Sequence, residues 1–215
     1  MTTLLLVYLM AMLVYIILPH VSYRAIIELL QFLVTVQTVV IKFIKRYIMI
    51  ICETNRLRIR HFSEKDAEFI IHLLNEPSFI ANIEDKKVRT IDDAIKYLND
   101  GPIATYQEFG FGLYLVELKE TGDPIGMCGL LKRAVLEDAD LGYSFLKQHW
   151  SMGYAKESAS AVLKSANHDY GLNRVIAVTK VDNLRSSGLL EKLGFSFEGM
   201  IEMYGDNNKL FGINF

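Results

Sequence analysis

A segment between a strand-like run and a helix-like run has the residue types of a phosphate-binding turn. Residues 148–155 read QHWSMGYA, follow an apolar run at 141–146 and precede a helix predicted to begin near Tyr154. The first N–H groups of a helix lack internal partners and the helix dipole adds positive charge, so a turn containing Gly153 can bind a pyrophosphate without a basic side chain. On spacing alone, an ordinary strand-to-helix turn is the favoured interpretation.

Further motifs follow one another in a fixed order along residues 53–215. They are RLRIR at 56–60, NI at 82–83 with VRT at 88–90, GFG at 110–112, IGMCG at 125–129, LGY at 141–143, NLRS at 183–186 and KLGF at 192–195. Together with the turn, their order and spacing resemble the GNAT superfamily of N-acetyltransferases, specifically the ribosomal-protein alanine and serine N-acetyltransferases and their relatives. The resemblance implies acetyl-CoA as co-substrate, no metal, and a sheet in which strands 139–146 and 174–181 splay apart to admit it.

The resemblance also implies which backbone groups bind acetyl-CoA. Those of Phe145 and Leu146 would pair with the pantetheine arm, and one amide there would help to polarise the thioester carbonyl. Core packing explains the two side chains equally well, and both interpretations can hold because the backbone does the binding. Main-chain N–H groups of five consecutive residues would bind the pyrophosphate: Ser151, Met152, Gly153, Tyr154 and Ala155.

Two residues of the turn depart from the broad family pattern. Trp150 stands where arginine or glutamine is usual, although tryptophan is familiar in the ribosomal-protein subgroup. Ser151 replaces a glycine, and would strain the turn if its backbone needs a positive φ. We therefore expect an effect on cofactor affinity rather than on the identity of the site.

Two carboxylates are candidates for acid–base chemistry, since the attacking amine must be neutral. Asp140 is the first candidate for the general base, because related enzymes often place a carboxylate at this position of the strand. The alternative is a solvated carboxylate in the run EDAD at 137–140. Glu157, in the first turn of the helix after the phosphate turn, is better explained by the helix dipole than by catalysis.

Asn183 and Ser186 match the Asn-x-x-Ser of the subgroup at the end of one strand and the start of the next helix. The resemblance implies that they contact the pantetheine or acetyl end, and that Ser186 or its water protonates the departing thiolate. The alternative is a helix N-cap at Asn183 with a solvated Ser186. Many relatives place an acidic tyrosine one turn further along, where this chain has Leu190.

Hydrophobic periodicity predicts the elements that position these residues. Strands are predicted at 55–60, 111–118, 124–132, 139–146, 174–181, 195–204 and 209–215, and helices after 63–66, after 90–93, after 154 and at 185–193. Pro77 is predicted to end the first helix and NDGP at 99–102 to stop the second. This order indicates an α+β fold with a mixed, mostly antiparallel central sheet flanked by helices, preceded by an apolar helical segment.

The composition favours one domain, at 49–215, after a leader at 1–48. The leader is basic and the domain correspondingly acidic, which argues against nucleic acid and suits a cationic acceptor, a peptide N-terminus or a small amine. Asn82, Arg89 and the aromatic residues Tyr106, Phe109 and Phe111 are expected on the acceptor side, or else in a solvated loop and the core. The two cysteines, Cys52 and Cys128, suit a reducing compartment.

The leader permits three interpretations. Residues 4–18 are continuously apolar and 25–44 carry a polar stripe at helical spacing, so a membrane-associated hairpin is one. A helical pair packed on the domain and a translation start at Met49 are the others. In the hairpin case, Lys42, Lys45 and Arg46 would place the domain on the cytoplasmic side of the membrane, and otherwise we expect it in the cytoplasm.

The function predicted from these residues is transfer of the acetyl group of acetyl-CoA to a primary amine. The alternative, from a different class, is a catalytically silent acyl-CoA-binding or membrane-tethered interaction protein. It is motivated by Trp150 and Ser151, by the absence of the usual tyrosine at position 190, and by the apolar leader.

Overall fold

The computed structural model describes residues 50–203 and 205–215, together with residues 28, 31, 32, 34, 36 and 37 of the leader. The chain divides into two compact units, Met1–Ile48 and Met49–Phe215. The predicted helical segments at 4–18 and 25–44 lie outside the described residues, apart from those six. Within the described part of the chain, no helix combines the length and the apolar character needed to cross a bilayer.

The second unit is built on an eight-stranded sheet in the order β1-β2-β3-β4-β5-β6-β8-β7. Every neighbouring pair is antiparallel except β5 and β6, which are parallel. The strands are β1 (Ile50–Glu53), β2 (Leu57–Arg60), β3 (Leu113–Leu118), β4 (Pro124–Leu131), β5 (Ala139–Phe145), β6 (Arg174–Lys180), β7 (Ser196–Met203) and β8 (Asp206–Asn214). The predicted fold class is confirmed.

Six α-helices accompany the sheet in the described part of the chain. They are α1 (Ala67–Leu74), α2 (Pro77–Asn82), α3 (Ile91–Leu98), α4 (Ala104–Phe109), α5 (Tyr154–His168) and α6 (Leu184–Lys192). The start of α3 shows why these boundaries were predictable. The Thr90 hydroxyl accepts from the Asp93 N–H at 3.1 Å, and the Asp93 carboxylate accepts from the Thr90 N–H at 2.9 Å, which satisfies two otherwise unpaired donors.

The first predicted helix stop is confirmed, because α1 ends at Leu74, before Pro77, whereas the second was wrong. Pro77 begins α2 rather than only ending α1, because a proline at the first helical position loses no hydrogen bond. The chain also remains helical after α3: Asn99–Ile103 form a π-helical turn with Pro102 inside it, and α4 follows directly. The wider turn tolerates a residue that has no N–H to donate.

The two faces of the sheet have separate apolar clusters. Tyr114 and Val116 of β3 belong to the cluster that includes α5 and α6, whereas Leu115 between them belongs to the cluster formed with α1 and α3. Since successive strand residues point to opposite faces, α5 and α6 cover one face, and α1 and α3 cover the other.

The parallel strands β5 and β6 separate soon after they begin. They pair at Ala139 with Val175 and at Asp140 with Ile176, and the rest of β5 has no register partner on β6, although both strands are fully described. Their carboxyl ends therefore diverge. The resulting opening, hereafter the β5–β6 gap, leads from Asp140 towards the turn at 148–155.

Candidate active site

The predicted phosphate turn links β5 to α5. A short 3-10 turn, Lys147–His149, follows β5, and the 15-residue helix α5 begins at Tyr154. Gly153 has φ +83° and Ser151 has φ +63°, so both lie in the left-handed region. A serine at this position is predicted from the sequence to be strained if its φ is positive. It is positive, and the strain costs about 1 kcal/mol relative to a relaxed backbone. The first N–H groups of α5 are left to bind an anion.

Trp150 connects the turn to the end of β5. Its indole Nε1–H donates to the carbonyl of Phe145 at 2.8 Å. The guanidinium carbon of Arg185, in the first turn of α6, lies 5.3 Å from the Trp150 ring centre. The residue that departs from the broad family pattern therefore contacts both β5 and the helix across the β5–β6 gap.

The backbone groups of Phe145 and Leu146 differ in availability. The Leu146 N–H donates to the carbonyl of Ile125 at 3.0 Å, and its carbonyl accepts from the His149 N–H at 2.9 Å, so both groups have partners within the protein. Because backbone groups alternate between the two edges of a strand, the Phe145 N–H faces the β5–β6 gap, whereas the Phe145 carbonyl already accepts from the Trp150 indole. The geometry thus favours Phe145 over Leu146 as the donor to a pantetheine arm.

Asn183, Ser186 and Tyr143 form a hydrogen-bonded group between α6 and β5. Asn183 caps α6, because its Oδ1 accepts from the Ser186 N–H at 3.1 Å. The Ser186 Oγ lies 2.8 Å from the Tyr143 hydroxyl oxygen. Burial raises the pKa of Tyr143 to about 12, against the effect of its hydrogen bond to Ser186, so the phenol stays protonated near neutral pH. The helix-cap alternative for Asn183 is confirmed, and Ser186 has the partly buried phenol of Tyr143 as its hydrogen-bond partner.

Tyr143 is the residue that the sequence reasoning missed. It enters the sequence analysis only as part of the LGY motif. Because it lies two residues from both Leu141 and Phe145 on the strand, its side chain is predicted to point to the same face as theirs, into the core. One signal could have identified it: the predicted helix at 185–193, which is α6 in the structure, covers the face of the sheet to which Tyr143 points. Leu190, at the position where relatives have the tyrosine, is instead buried in the core.

Asp140 lies at the start of the β5–β6 gap and is 1% exposed. Its Oδ2 is 2.7 Å from the Nε of Arg133, an ion pair without the angle of a directed hydrogen bond, and its Oδ1 accepts from the Val178 N–H at 3.3 Å. Burial raises the pKa of Asp140 to about 6, although Arg133 opposes the shift. The solvated alternative is wrong. Asp140 points to the other face from Tyr143 and lies about 10 Å along the strand from it.

Glu157 does not face the β5–β6 gap. Its carboxylate accepts from the Thr54 hydroxyl and from the backbone and side chain of Arg56, all on the β1–β2 turn. A structural role at the start of α5 is thereby favoured over catalysis, as its sequence position indicated.

The residues expected on the acceptor side are engaged locally. The Asn82 amide donates to a carbonyl one turn earlier in α2 at 2.8 Å, and Arg89 pairs with Asp85 at 2.8 Å on the surface. Tyr106 and Phe111 pack in or against the core. None of these contacts reaches Asp140, and the place of these residues on the acceptor side stays a prediction.

The described residues contain no group of three or more histidine, cysteine, aspartate or glutamate side chains arranged to bind a metal ion. Cys128 is buried, and burial raises the pKa of its thiol to about 12. This agrees with a small apolar core residue rather than a reactive thiol.

The parallel strands β5 and β6 splay apart beside the start of α5, whose first N–H groups have no partners within the helix. A family model described as "Acetyltransferase (GNAT) domain" matches residues 56–196. The chain belongs to the GNAT acetyltransferase family, and the family predicted from the motifs is confirmed.

Individual relatives agree with this assignment. The chain is 32% identical over 155 residues to an uncharacterized N-acetyltransferase, YoaA, of Bacillus subtilis, covering 72% of this chain and 87% of that protein. Among solved structures it is similar to RimL, a ribosomal L7/L12 alpha-N-protein acetyltransferase in complex with coenzyme A, with a TM-score of 0.67 and 18% identity over 77% of this chain and 97% of that one. It is also similar to the microcin C7 self-immunity acetyltransferase MccE in complex with acetyl-CoA and AMP, with a TM-score of 0.64 and 18% identity over 75% and 94% of the two chains. At these identities, the two structures show the fold alone.

Proposed function

We propose that this acetyltransferase transfers the acetyl group of acetyl-CoA to a primary amine, a peptide N-terminus or a small amine, by direct attack within a ternary complex. The observation that supports it is the arrangement along the β5–β6 gap. Asp140 lies where the gap opens, the Tyr143–Ser186 pair lies further along it, and the phosphate turn lies at its end.

The residues present fit acetyl-CoA. The start of α5 offers N–H groups without helical partners to a pyrophosphate, and the backbone N–H of Phe145 faces the gap that a pantetheine arm would occupy. Binding from the main chain would require neither arginine nor glutamine at position 150, where this chain has tryptophan.

Bound acetyl-CoA supplies a thioester, whose carbonyl carbon is attacked by the amine nitrogen as the carbon–sulfur bond breaks. Asp140 accepts the proton that the amine loses, directly or through water. Ser186 donates a proton to the departing sulfur and regains one from Tyr143, to which it is hydrogen bonded. Asp140 then releases its proton to solvent and Tyr143 regains one from solvent, so the products are an amide and a free thiol and both side chains return to their starting states.

The experiment is a thiol-release assay on the full-length chain with acetyl-CoA and a panel of amines. The panel contains peptides that begin with alanine or serine, the same peptides with blocked α-amino groups, and small polyamines. Thiol release together with one added acetyl group on the unblocked acceptor, seen by mass spectrometry, supports the proposal. Tight acetyl-CoA binding without release for any acceptor would instead favour a silent acyl-CoA-binding protein.

A further inference from the structure

Arg56, on the turn between β1 and β2, is bonded to the phosphate turn. Its Nη1 donates to the Met152 carbonyl at 3.0 Å, and its Nε donates to the Oε2 of Glu157 at 2.7 Å. The guanidinium carbon lies 4.5 Å from the ring centre of Tyr154. One side chain therefore contacts the turn, the first turn of α5 and the aromatic residue between them.

The bond to Met152 fixes the direction of a neighbouring donor. In a trans peptide the carbonyl and the following N–H point in opposite directions, and the described chain has no cis peptide. Because the Met152 carbonyl is directed towards Arg56, the Gly153 N–H is directed away from the β1–β2 turn. Gly153 has φ +83°, and glycine peptides are the freest to rotate, so an external bond is needed to hold this orientation.

Glu157 in turn holds Arg56 in place. It accepts from the Arg56 backbone N–H at 3.1 Å and from the Thr54 hydroxyl at 2.5 Å, besides its bond to the guanidinium. Burial opposes ionisation, but the hydrogen bonds from Thr54 and Arg56 outweigh it and lower the pKa of Glu157. The Arg56 side chain is 48% exposed, so without this carboxylate it would be free to leave the turn.

We infer that Arg56 is a positioning residue for cofactor binding: it orients the Met152–Gly153 peptide so that the Gly153 N–H faces the pyrophosphate, and Glu157 fixes the guanidinium that does so. This inference rests on the proposed binding of acetyl-CoA at the turn. It assigns to the pair a role in cofactor affinity and none in the chemical step.

The test measures binding of coenzyme A to the full-length chain by calorimetry, which needs no acceptor. We expect Arg56→Ala, Arg56→Lys and Glu157→Gln each to raise the Kd about tenfold, the usual loss for a charge-assisted hydrogen bond. Lysine should not rescue, because one ammonium group cannot reproduce the fork that bonds Met152 and Glu157 together. Pantetheine, which lacks the pyrophosphate, should bind all variants as it binds the wild type in NMR titrations.

The matched control is Arg58→Ala, which removes an arginine that pairs with the carboxylates of Glu53 and Glu117 but lies on β2, away from the phosphate turn. We expect its Kd for coenzyme A to be unchanged. Equal losses in Arg58→Ala would overturn the inference in favour of general destabilisation, and rescue by Arg56→Lys would overturn it in favour of a direct charge on the phosphate. Failure of the wild type to bind coenzyme A would instead contradict the proposed function itself.

Discussion

The hydroxyl oxygens of Tyr143 and Ser186 lie 2.8 Å apart, although the two residues are 43 positions apart in the chain. Tyr143 belongs to β5 and Ser186 to the first turn of α6, so this bond spans the gap in which β5 and β6 no longer pair. The serine that the sequence motif indicated therefore has a partly buried phenol from a different element as its hydrogen-bond partner. The family resemblance implies a tyrosine on α6 in many relatives, at the position where this chain has Leu190, and here Tyr143 of β5 brings a phenol to the same helix instead.

The first prediction concerns this pair. Tyr143→Phe should lower kcat about 10- to 100-fold with little change in the KM for acetyl-CoA, because it removes proton supply rather than a binding contact. Ser186→Ala should have a similar effect. If Tyr143 acts through Ser186, the double variant should be no slower than the slower single variant. Full additivity of the two losses in a double-mutant cycle would show that the hydroxyls act independently.

The second prediction concerns the general base. Asp140→Asn should lower kcat at least about 100-fold while leaving coenzyme A binding intact, because the amide cannot accept the amine proton. Glu137→Gln, an exposed carboxylate three residues earlier, is the matched control and should retain full activity. Burial raises the pKa of Asp140 to about 6, so the wild-type rate should fall as the pH is lowered through about 6. If Asp140→Asn keeps the wild-type rate, Asp140 is not the general base and the amine proton is accepted by water.

The raised pKa of Asp140 also makes the free energy of unfolding depend on pH. Burial raises the pKa of Asp140 from 3.8 in the unfolded chain to about 6 in the folded protein, so the folded state binds the proton more tightly. Its contribution is fully present below pH 4 and is lost as the pH rises through about 6, with a magnitude of about 3 kcal/mol.

Denaturant unfolding at several pH values measures this contribution. Because other carboxylates titrate in the same range, the informative quantity is the difference between the wild type and Asp140→Asn. We expect that difference to change in favour of the variant between pH 4 and pH 7. A constant difference would mean that the ion pair with Arg133 cancels the cost of burial.

The sequence predicted those elements whose signals are local. The alternation along β2, the apolar runs along β3 to β6 and the capping box at Thr90 act within a few residues, and the structure has strands and a helix there. Proline at 102 was misread as a stop because a π-helical turn depends on packing around it. The bond between Arg56 and Glu157 joins residues 101 positions apart, and no local pattern indicates it. The turn at 148–155 was therefore predictable from the sequence, whereas the side chains that contact it from β1 and β2 were not.

The fourth prediction concerns the two residues of the phosphate turn with a left-handed backbone, whose substitutions should change the stability of the fold in opposite directions. Ser151 has φ +63°, so Ser151→Gly should stabilise the fold by about 0.5 kcal/mol: relief of the backbone strain exceeds the added entropy of the unfolded chain. Gly153→Ala should destabilise it by about 1 kcal/mol, since φ +83° disfavours a side chain and the new Cβ would lie 3.4 Å from the Nη2 of Arg56.

The affinity for coenzyme A distinguishes backbone strain that contributes to cofactor binding from strain that does not. If the conformation of Ser151 already matches the bound state, Ser151→Gly should leave the Kd for coenzyme A unchanged or lower it, whereas Gly153→Ala should raise it by displacing Arg56 and the peptide that it orients. Calorimetric titration and thermal unfolding of both variants check this. Weaker binding by Ser151→Gly, despite its greater stability, would show that the serine side chain itself contacts the pyrophosphate, and the departure from the family pattern would then be a gain in recognition rather than a cost.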